Sequence, residues 1–366
     1  MKKLRSKSSS IYENFVGMES TMSKLIPSYL GFEDNVYMIG IHGMGGLGKT
    51  TLARVVFDEF RSNFESSSFI VNVREDSKKY GLPQLQQQLL SDILEDRNID
   101  IRNVYEGVDM IKKRLLHKKV LLVIDDVNHL DQLEKLVGEH NWFGLGSWII
   151  ITTRDEHVLA QHGVLKRYKP DVLDDDDALE LFKLKAFKME QPKEGWMQLS
   201  QEAIKYANGL PLALVTLGSS LVGRTIDVWE SALDSFKNTK GEMFDILKIS
   251  YDGLEETWRE IFLDIVCFFR RWKKDEVIQI LDNCGFNARI GISVLMERSL
   301  LTMDDNECLE MHDLLIEMGQ KIIRFELDGN LGKHSRLWRT KDLLHVLKNR
   351  MVRKMTKLYF YFSEQD

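Results

Sequence analysis

Between Gly43 and Thr50 the sequence reads GMGGLGKT, which fits the spacing G-x-x-x-x-G-K-[ST]. That spacing is suited to holding phosphate groups. Gly43, Gly45, Gly46 and Gly48 let the backbone wrap close to phosphate oxygens, and free amides at the start of a following helix favour an anion. Lys49 would reach the β- and γ-phosphates of a nucleotide, and the Thr50 hydroxyl would ligate Mg²⁺. Thr51, next in line, counts with the nucleotide-binding residues. The bland alternative is a flexible glycine turn.

A second element, KKVLLVIDDVN, runs four apolar residues into Asp125 and Asp126. Asp125 is placed to hold Mg²⁺, directly or through water, and Asp126 to orient an attacking water. An apolar run before two acids usually marks only a strand end; downstream of a phosphate loop it becomes specific. A third element, GSWIIITTRD, ends in Arg154, where a guanidinium could meet a terminal phosphate rather than form a surface salt bridge. Lys49, Asp126 and Arg154 are therefore the candidates for chemistry. Many motor ATPases end the acidic strand in Asp-Glu. The shorter second side chain of Asp-Asp reaches a water less readily, so weak turnover and long nucleotide residence are expected.

These residues need a scaffold that gathers strand ends. Apolar strands read at VYMIGI, SSFIVNV, KVLLVIDDV and SWIIITT, with a weaker one near RYKPDV, and helical patterns separate them. In TTLARVVFDEF the residues Leu52, Val55, Val56 and Phe60 share one helical face. This is the α/β layout of a parallel sheet covered on both faces, whose ligands sit at the carboxyl ends of the strands. After about Asp171 helices dominate. SLLTMDDNECLEMHDLL then gives two strand-like pieces and a helix, which suggests a winged-helix unit. The divisions expected are a linker at 1–14, a P-loop nucleotide domain at 15–170, a helical domain at 171–238, a winged-helix domain at 239–330 and a C-terminal segment at 331–366.

Composition sets bounds. The 366 residues are 43% hydrophobic and 29% charged, ordinary values for a globular protein. No apolar run approaches a membrane span, and MKKLRSKSSS has a basic start without the apolar segment of a secretory leader. Cys267, Cys284 and Cys308 are few and lack a C-x-x-C pair, so buried thiols in a reducing compartment are expected. A net charge of -6 argues against wholesale nucleic-acid coating. The run Asp174 to Asp177 lacks the interleaved spacing of a calcium loop and reads as a solvated helix start. Trp258, Phe262, Phe268 and Phe269 read as core.

Taken in order, several stretches resemble one family, the NB-ARC module of plant intracellular immune receptors. GMGGLGKTT resembles its phosphate loop, FIVNVREDSKKYGL its first resistance-associated block, and LLVIDDVN its second Mg²⁺ motif. GSWIIITTRD resembles the block with the phosphate-sensing arginine. NGLPLAL, FLDIVCFF and MHD (Met311 to Asp313) follow in the expected order, and HSRLWRTKDLLHVLKN resembles the segment after the winged helix. Asn128 after DDV is similar to receptors that carry a Toll/interleukin-1-receptor (TIR) domain. Neither that domain nor leucine-rich repeats are read in this sequence, and MVRKMTKLYFYFSEQD departs from the family's usual continuation.

The resemblance implies a P-loop NTPase sheet followed by helical and winged-helix domains, with ADP or ATP and Mg²⁺ as ligands. It implies an ADP-binding switch, at most a slow ATPase, acting in defence signalling. FVGMES is similar to the entry motif at adenine, so Val16 and Gly17 join the nucleotide contacts, with Met18 where other branches carry arginine. Pro211 would pack near adenine and His312 would contact the β-phosphate of ADP. Without the resemblance they read as a helix-start proline and a structural histidine. Partners implied are a second copy or other immune receptors on activation. A pathogen effector or guarded protein would be met only through further domains. No membrane is implied, and the setting is cytoplasmic or nuclear. Two alternatives stay open: a DNA-handling P-loop ATPase with a winged helix, and a truncated adaptor or decoy of immune receptors.

Overall fold

The computed structural model describes residues 16–30, 35–188, 195–237, 243–325, 336–337 and 348. They fall into two compact units, Met1–Leu173 and Asp174–Asp366, and each is taken by itself.

The first unit is built on β1 (Tyr37–His42), β2 (Ser66–Ile70), β3 (Val120–Val127), β4 (Trp148–Thr153) and β5 (Lys166–Tyr168). All pairings are parallel, in the order β2-β3-β4-β1-β5. Strands buried on both faces must be apolar on both faces, which is why the central strands read as continuous β-branched and leucine runs. In β3, Val120, Leu122 and Ile124 enter one core while Leu121 and Val123 enter the other. In β4, Ile149 and Ile151 face the first core, and Trp148 and Ile150 the second.

Helices α1 (Met18–Tyr29) and α2 (Lys49–Phe60) cover the second face; α2 buries Leu52, Val55, Val56 and Phe60 together, as their spacing predicts. The first face is covered by α3 (Val73–Lys79), α4 (Leu82–Leu94), α5 (Val104–Leu115), α6 (Leu130–Leu136) and α7 (Glu156–His162). Two strand readings shorten. The chain leaves the sheet after Ile70 because Asn72 turns left-handed (φ 51°) and opens α3, so Val73 is helical. β5 stops at Tyr168, two residues before Pro170, which has no amide to give a ladder.

The second unit begins with α8 (Asp175–Phe187), α9 (Trp196–Ala207), α10 (Pro211–Leu221) and α11 (Ile226–Lys237). Asp174 caps α8 by accepting the Asp177 amide, so the acidic run is a helix start. Phe182, Phe187, Trp196 and Trp229 pack their rings, three pairs edge to face and Phe187 stacked on Trp229, at centroid distances of 4.9–6.1 Å, and the Trp229 indole donates to the Leu221 carbonyl. This aromatic centre gives the four helices one shared core.

Helices α12 (Met243–Asp252), α13 (Glu256–Phe268), α14 (Lys274–Asn283) and α15 (Ala288–Glu297) lead to the hairpin β6 (Thr302–Met303) and β7 (Leu309–Glu310), then α16 (Asp313–Phe325). A backbone bridge from Lys273 to Cys308 ties the hairpin to the start of α14, completing the winged-helix form. Gly291 sits against α13, where an added Cβ would press on the end of the Ile261 side chain. Phe262 and Phe269 are buried in this core, and Trp258 and Phe268 pack at its margin. The thiols differ from expectation: Cys267 and Cys308 are half-buried, and Cys284 is exposed because the end of α14 faces outward. Among the described residues no helix is long and apolar enough to cross a membrane.

Candidate functional site

The loop from Gly43 to Gly48 joins β1 to α2. Gly43, Gly46 and Gly48 have φ of 136°, 80° and 80°, conformations open to glycine and strained for other residues. A Cβ on Gly43 would also meet Leu47 Cδ1 at 2.9 Å, so the loop's path is written into its glycines. Lys49, at the first position of α2, is buried, and its Nζ donates to the Met44 carbonyl at 2.8 Å. The ammonium is thereby held within the loop. A Cβ built on Gly48 would lie 3.7 Å from Met18 Cε, which sets the start of α1 beside the loop. Gly17 (φ 76°) opens that helix, with Val16 half-buried before it. Gly45 lies within the same loop, and Thr51 continues the first turn of α2.

Asp125 stands near the end of β3, on the face that packs against α2. Its Oδ1 accepts the Thr50 hydroxyl at 2.8 Å and the Thr152 hydroxyl at 2.6 Å, and the Asn72 backbone amide also donates to it. Burial pushes the carboxyl pKa above its ordinary range; the hydroxyls, the amide and Lys49 pull the other way without cancelling it. A buried carboxylate in that balance gains from a cation. The Thr50 hydroxyl and the Asp125 carboxylate are hard oxygen donors of the kind Mg²⁺ uses together with substrate phosphates. They fit the ion, and they would hold it. Among the described residues no group of three or more His, Cys, Asp or Glu side chains gathers as for a metal.

Asp126 turns the other way. The β3–β4 register shifts between Ile124 and Val127, and Asp126 itself is left-handed (φ 57°). Its amide donates to Thr152 Oγ1 at 2.8 Å, so one threonine anchors both acids. The freed carboxylate meets two guanidinium groups: Arg74 Nε lies 3.0 Å from Oδ2, and Arg154 Nε 3.8 Å from Oδ1. Arg154 follows β4, the strand between β1 and β3, and so projects from between the loop and the acid pair.

Arg74 is the residue that sequence reasoning missed. Its block was read, but its neighbour across the sheet was not visible. Ile70 pairs with Ile124 in parallel register, which brings the chain just past β2 beside the chain just past Ile124. At the margin of the site, His42 Nδ1 and Arg167 Nη1 lie 3.7 and 3.2 Å from the Glu156 carboxylate. Burial lowers the His42 pKa against the opposing pull of Glu156.

Pro211 and His312 belong to the second unit. Pro211 is the first residue of α10, where its missing amide costs nothing. His312 precedes α16, and its Nδ1 accepts the Leu314 amide at 3.1 Å. With Nδ1 an acceptor, the neutral ring carries its proton on Nε2. Asp313 Oδ1 lies 3.8 Å from Arg270 Nη2.

A five-stranded parallel sheet with a glycine loop after β1, an acid pair near the end of β3 and an arginine after β4 defines a P-loop NTPase, a nucleotide-binding protein. The NB-ARC domain family matches residues 18–192, and the Roq1-like winged-helix domain of disease resistance proteins matches residues 255–326. The chain therefore carries an NB-ARC domain with a Roq1-like winged-helix domain behind it.

It is 42% identical over 348 residues to disease resistance protein RPV1 of Vitis rotundifolia, covering 94% of this chain and 25% of that protein. It is 40% identical over 349 residues to TMV resistance protein N of Nicotiana glutinosa, covering 93% and 30%. The chain thus spans about a quarter to a third of the length of these relatives. A STAND-type signal transduction ATPase with a tetratricopeptide repeat sensor, from Pyrococcus horikoshii, has a similar fold. Its TM-score is 0.53 at 15% identity, covering 92% of this chain and 46% of that one.

Proposed function

We propose that this chain is the nucleotide-operated switch of a plant intracellular immune receptor, closed with ADP and opened by exchange for ATP. The observation that carries the reading is the hydrogen bond from Thr50 to Asp125, which joins the phosphate loop to the acidic strand in a site built for a nucleotide with its metal. Lys49 binds the outer phosphates. Thr50 and Asp125 hold Mg²⁺, which when bound screens phosphate charge. Arg154 reads the terminal phosphate. Val16 and Gly17 contact the base, and the family resemblance assigns Pro211 to the adenine and His312, through Nε2, to the β-phosphate of ADP. Asp126 is the group available to orient a water, and its engagement by two guanidinium groups favours slow hydrolysis.

The much longer relatives support a receptor whose other segments meet a pathogen effector or guarded protein, with self-assembly or pairing with other receptors on activation. The setting proposed is cytoplasmic or nuclear. The DNA-handling alternative is disfavoured by α15, whose exposed positions are Arg289, Ile290, Ser293 and Glu297 rather than a basic recognition face.

Single-turnover phosphate release and fluorescent-ADP release, measured on one preparation, test the switch. Turnover far below the ~10 s⁻¹ median of enzymes is expected, with ADP release slower still. Fast multiple turnover with weakly held ADP would make the protein an engine instead.

A further inference from the structure

Two guanidinium groups converge on one carboxylate at the phosphate end of the sheet. Arg74 comes from α3 and Arg154 from the end of β4, and Asp126 lies between them. Arg74 is 17% exposed and Asp126 13%, so the pair is well shielded from water. Its geometry is set on both sides by unusual backbone. Asn72 (φ 51°) starts α3 so that Arg74 faces the acid strand, and Asp126 (φ 57°) turns its carboxylate out of the ladder toward it. Left-handed backbone at non-glycine residues costs energy and is kept where surrounding contacts demand it. The same Asn72 amide reaches Asp125, so α3 is fastened to the acid that faces Thr50.

We propose that Arg74 is a second arginine for the terminal phosphate of a nucleoside triphosphate, and that Asp126 is its resident counter-ion. This rests on the nucleotide-switch reading. In the diphosphate state Asp126 holds both arginines. A terminal phosphate, carrying more negative charge than one carboxylate, competes for both forks. Because a planar guanidinium matches phosphate geometry in a way that an ammonium does not, Arg74→Lys restores only part of the effect. The energetic role of Asp126 is to make the site selective: with it in place, the arginines are satisfied without the third phosphate. Glu75, whose Oε1 lies 3.4 Å from Arg74 Nε, adds to that restraint from a more exposed position.

The test is equilibrium binding of fluorescent ADP and of a non-hydrolysable fluorescent ATP analogue to the full chain. The variants are Arg74→Gln, Arg74→Lys, Asp126→Asn and the double variant Arg74→Gln/Asp126→Asn, each checked for folding by its melting curve. Arg74→Gln is expected to weaken the triphosphate about ten- to a hundredfold and to leave ADP within about twofold. Asp126→Asn is expected to strengthen the triphosphate relative to ADP, with a smaller gain in the double variant. This arm stands even if Arg74→Gln misfolds. Equal effects of Arg74→Gln on both nucleotides, or an unchanged or lowered triphosphate affinity relative to ADP in Asp126→Asn, would overturn the proposal while leaving the switch intact. A folded wild-type protein that binds neither nucleotide would overturn both.

Discussion

Thr50 Oγ1 donates a hydrogen bond to Asp125 Oδ1 at 2.8 Å, joining residues 75 positions apart in sequence. The contact spends the two oxygens that a metal would take, and it leaves a carboxylate buried whose pKa is pushed up by that burial. A raised folded pKa means the stabilising form is the protonated one. Its contribution is complete below the ordinary aspartate range and is lost as pH rises through the folded value. Asp125→Asn removes the buried charge but keeps an oxygen for both hydroxyls. At neutral pH the ligand-free melting temperature is expected to rise or hold. The further rise on adding Mg²⁺ and ADP should shrink sharply. Scanning fluorimetry of both proteins with and without the ligands checks this. A ligand-free mutant that melts well below wild type would contradict it.

Lys49 and Arg154 should separate by nucleotide. Lys49→Ala removes the cation held within the loop and is expected to weaken ADP and ATP alike, with the ligand-induced rise in melting temperature falling accordingly. Arg154→Ala is expected to weaken ATP and spare ADP. Competition titrations of both variants read the difference, and equal losses in Arg154→Ala would make it a structural ion pair to Asp126.

Much of this was legible in the sequence, for physical reasons. Central strands sandwiched between helices must be apolar throughout, so VLLVI and WIII declare themselves without context. A phosphate loop is a local object, fixed by its own glycines. Arg74 was not legible because its role depends on which strand lies beside which, a non-local fact. At the start of α16 the His312 imidazole accepts the Leu314 amide and Asp313 lies beside Arg270, a neighbour that depends on the fold rather than on residue type. Along α16, Leu315 and Met318 are buried as their spacing suggests, with Ile316, Gly319 and Ile323, while Leu314 and Ile322 lie at the edge.

The pairing of Asp313 with Arg270 gives a separable prediction. If the His312 region latches ADP, Asp313→Val and Arg270→Ala both loosen the start of α16 without touching the phosphate loop. Loss of one charge-assisted contact is worth about 1.5–3 kcal/mol, or about one to two decades in ADP release if it acts on the closed state. Stopped-flow release of fluorescent ADP measures it. Unchanged rates in well-folded mutants would reduce the pair to local packing.

Arg336 offers a stability test independent of nucleotide. Its guanidinium is fully buried, with Nε 2.5 Å from Asp264 Oδ1 and Nη2 2.8 Å from Glu260 Oε2, both acids on α13. Removing one partner of such a pair strands the other charge in the core, at a cost of about 3–5 kcal/mol. Arg336→Ala should therefore lower the denaturation midpoint severely. Arg336→Ala combined with Asp264→Ala should recover part of the loss, which urea titration can follow. A midpoint in Arg336→Ala equal to wild type would mean the pair contributes nothing.

A protein that holds nucleotide as a switch does should carry that nucleotide through purification. Protein purified without added nucleotide is denatured, and the released small molecules are separated by anion-exchange chromatography and quantified against protein. ADP close to one per chain is expected, with Lys49→Ala largely empty. A folded wild-type protein that carries no nucleotide and shows no measurable affinity for added ADP would contradict it.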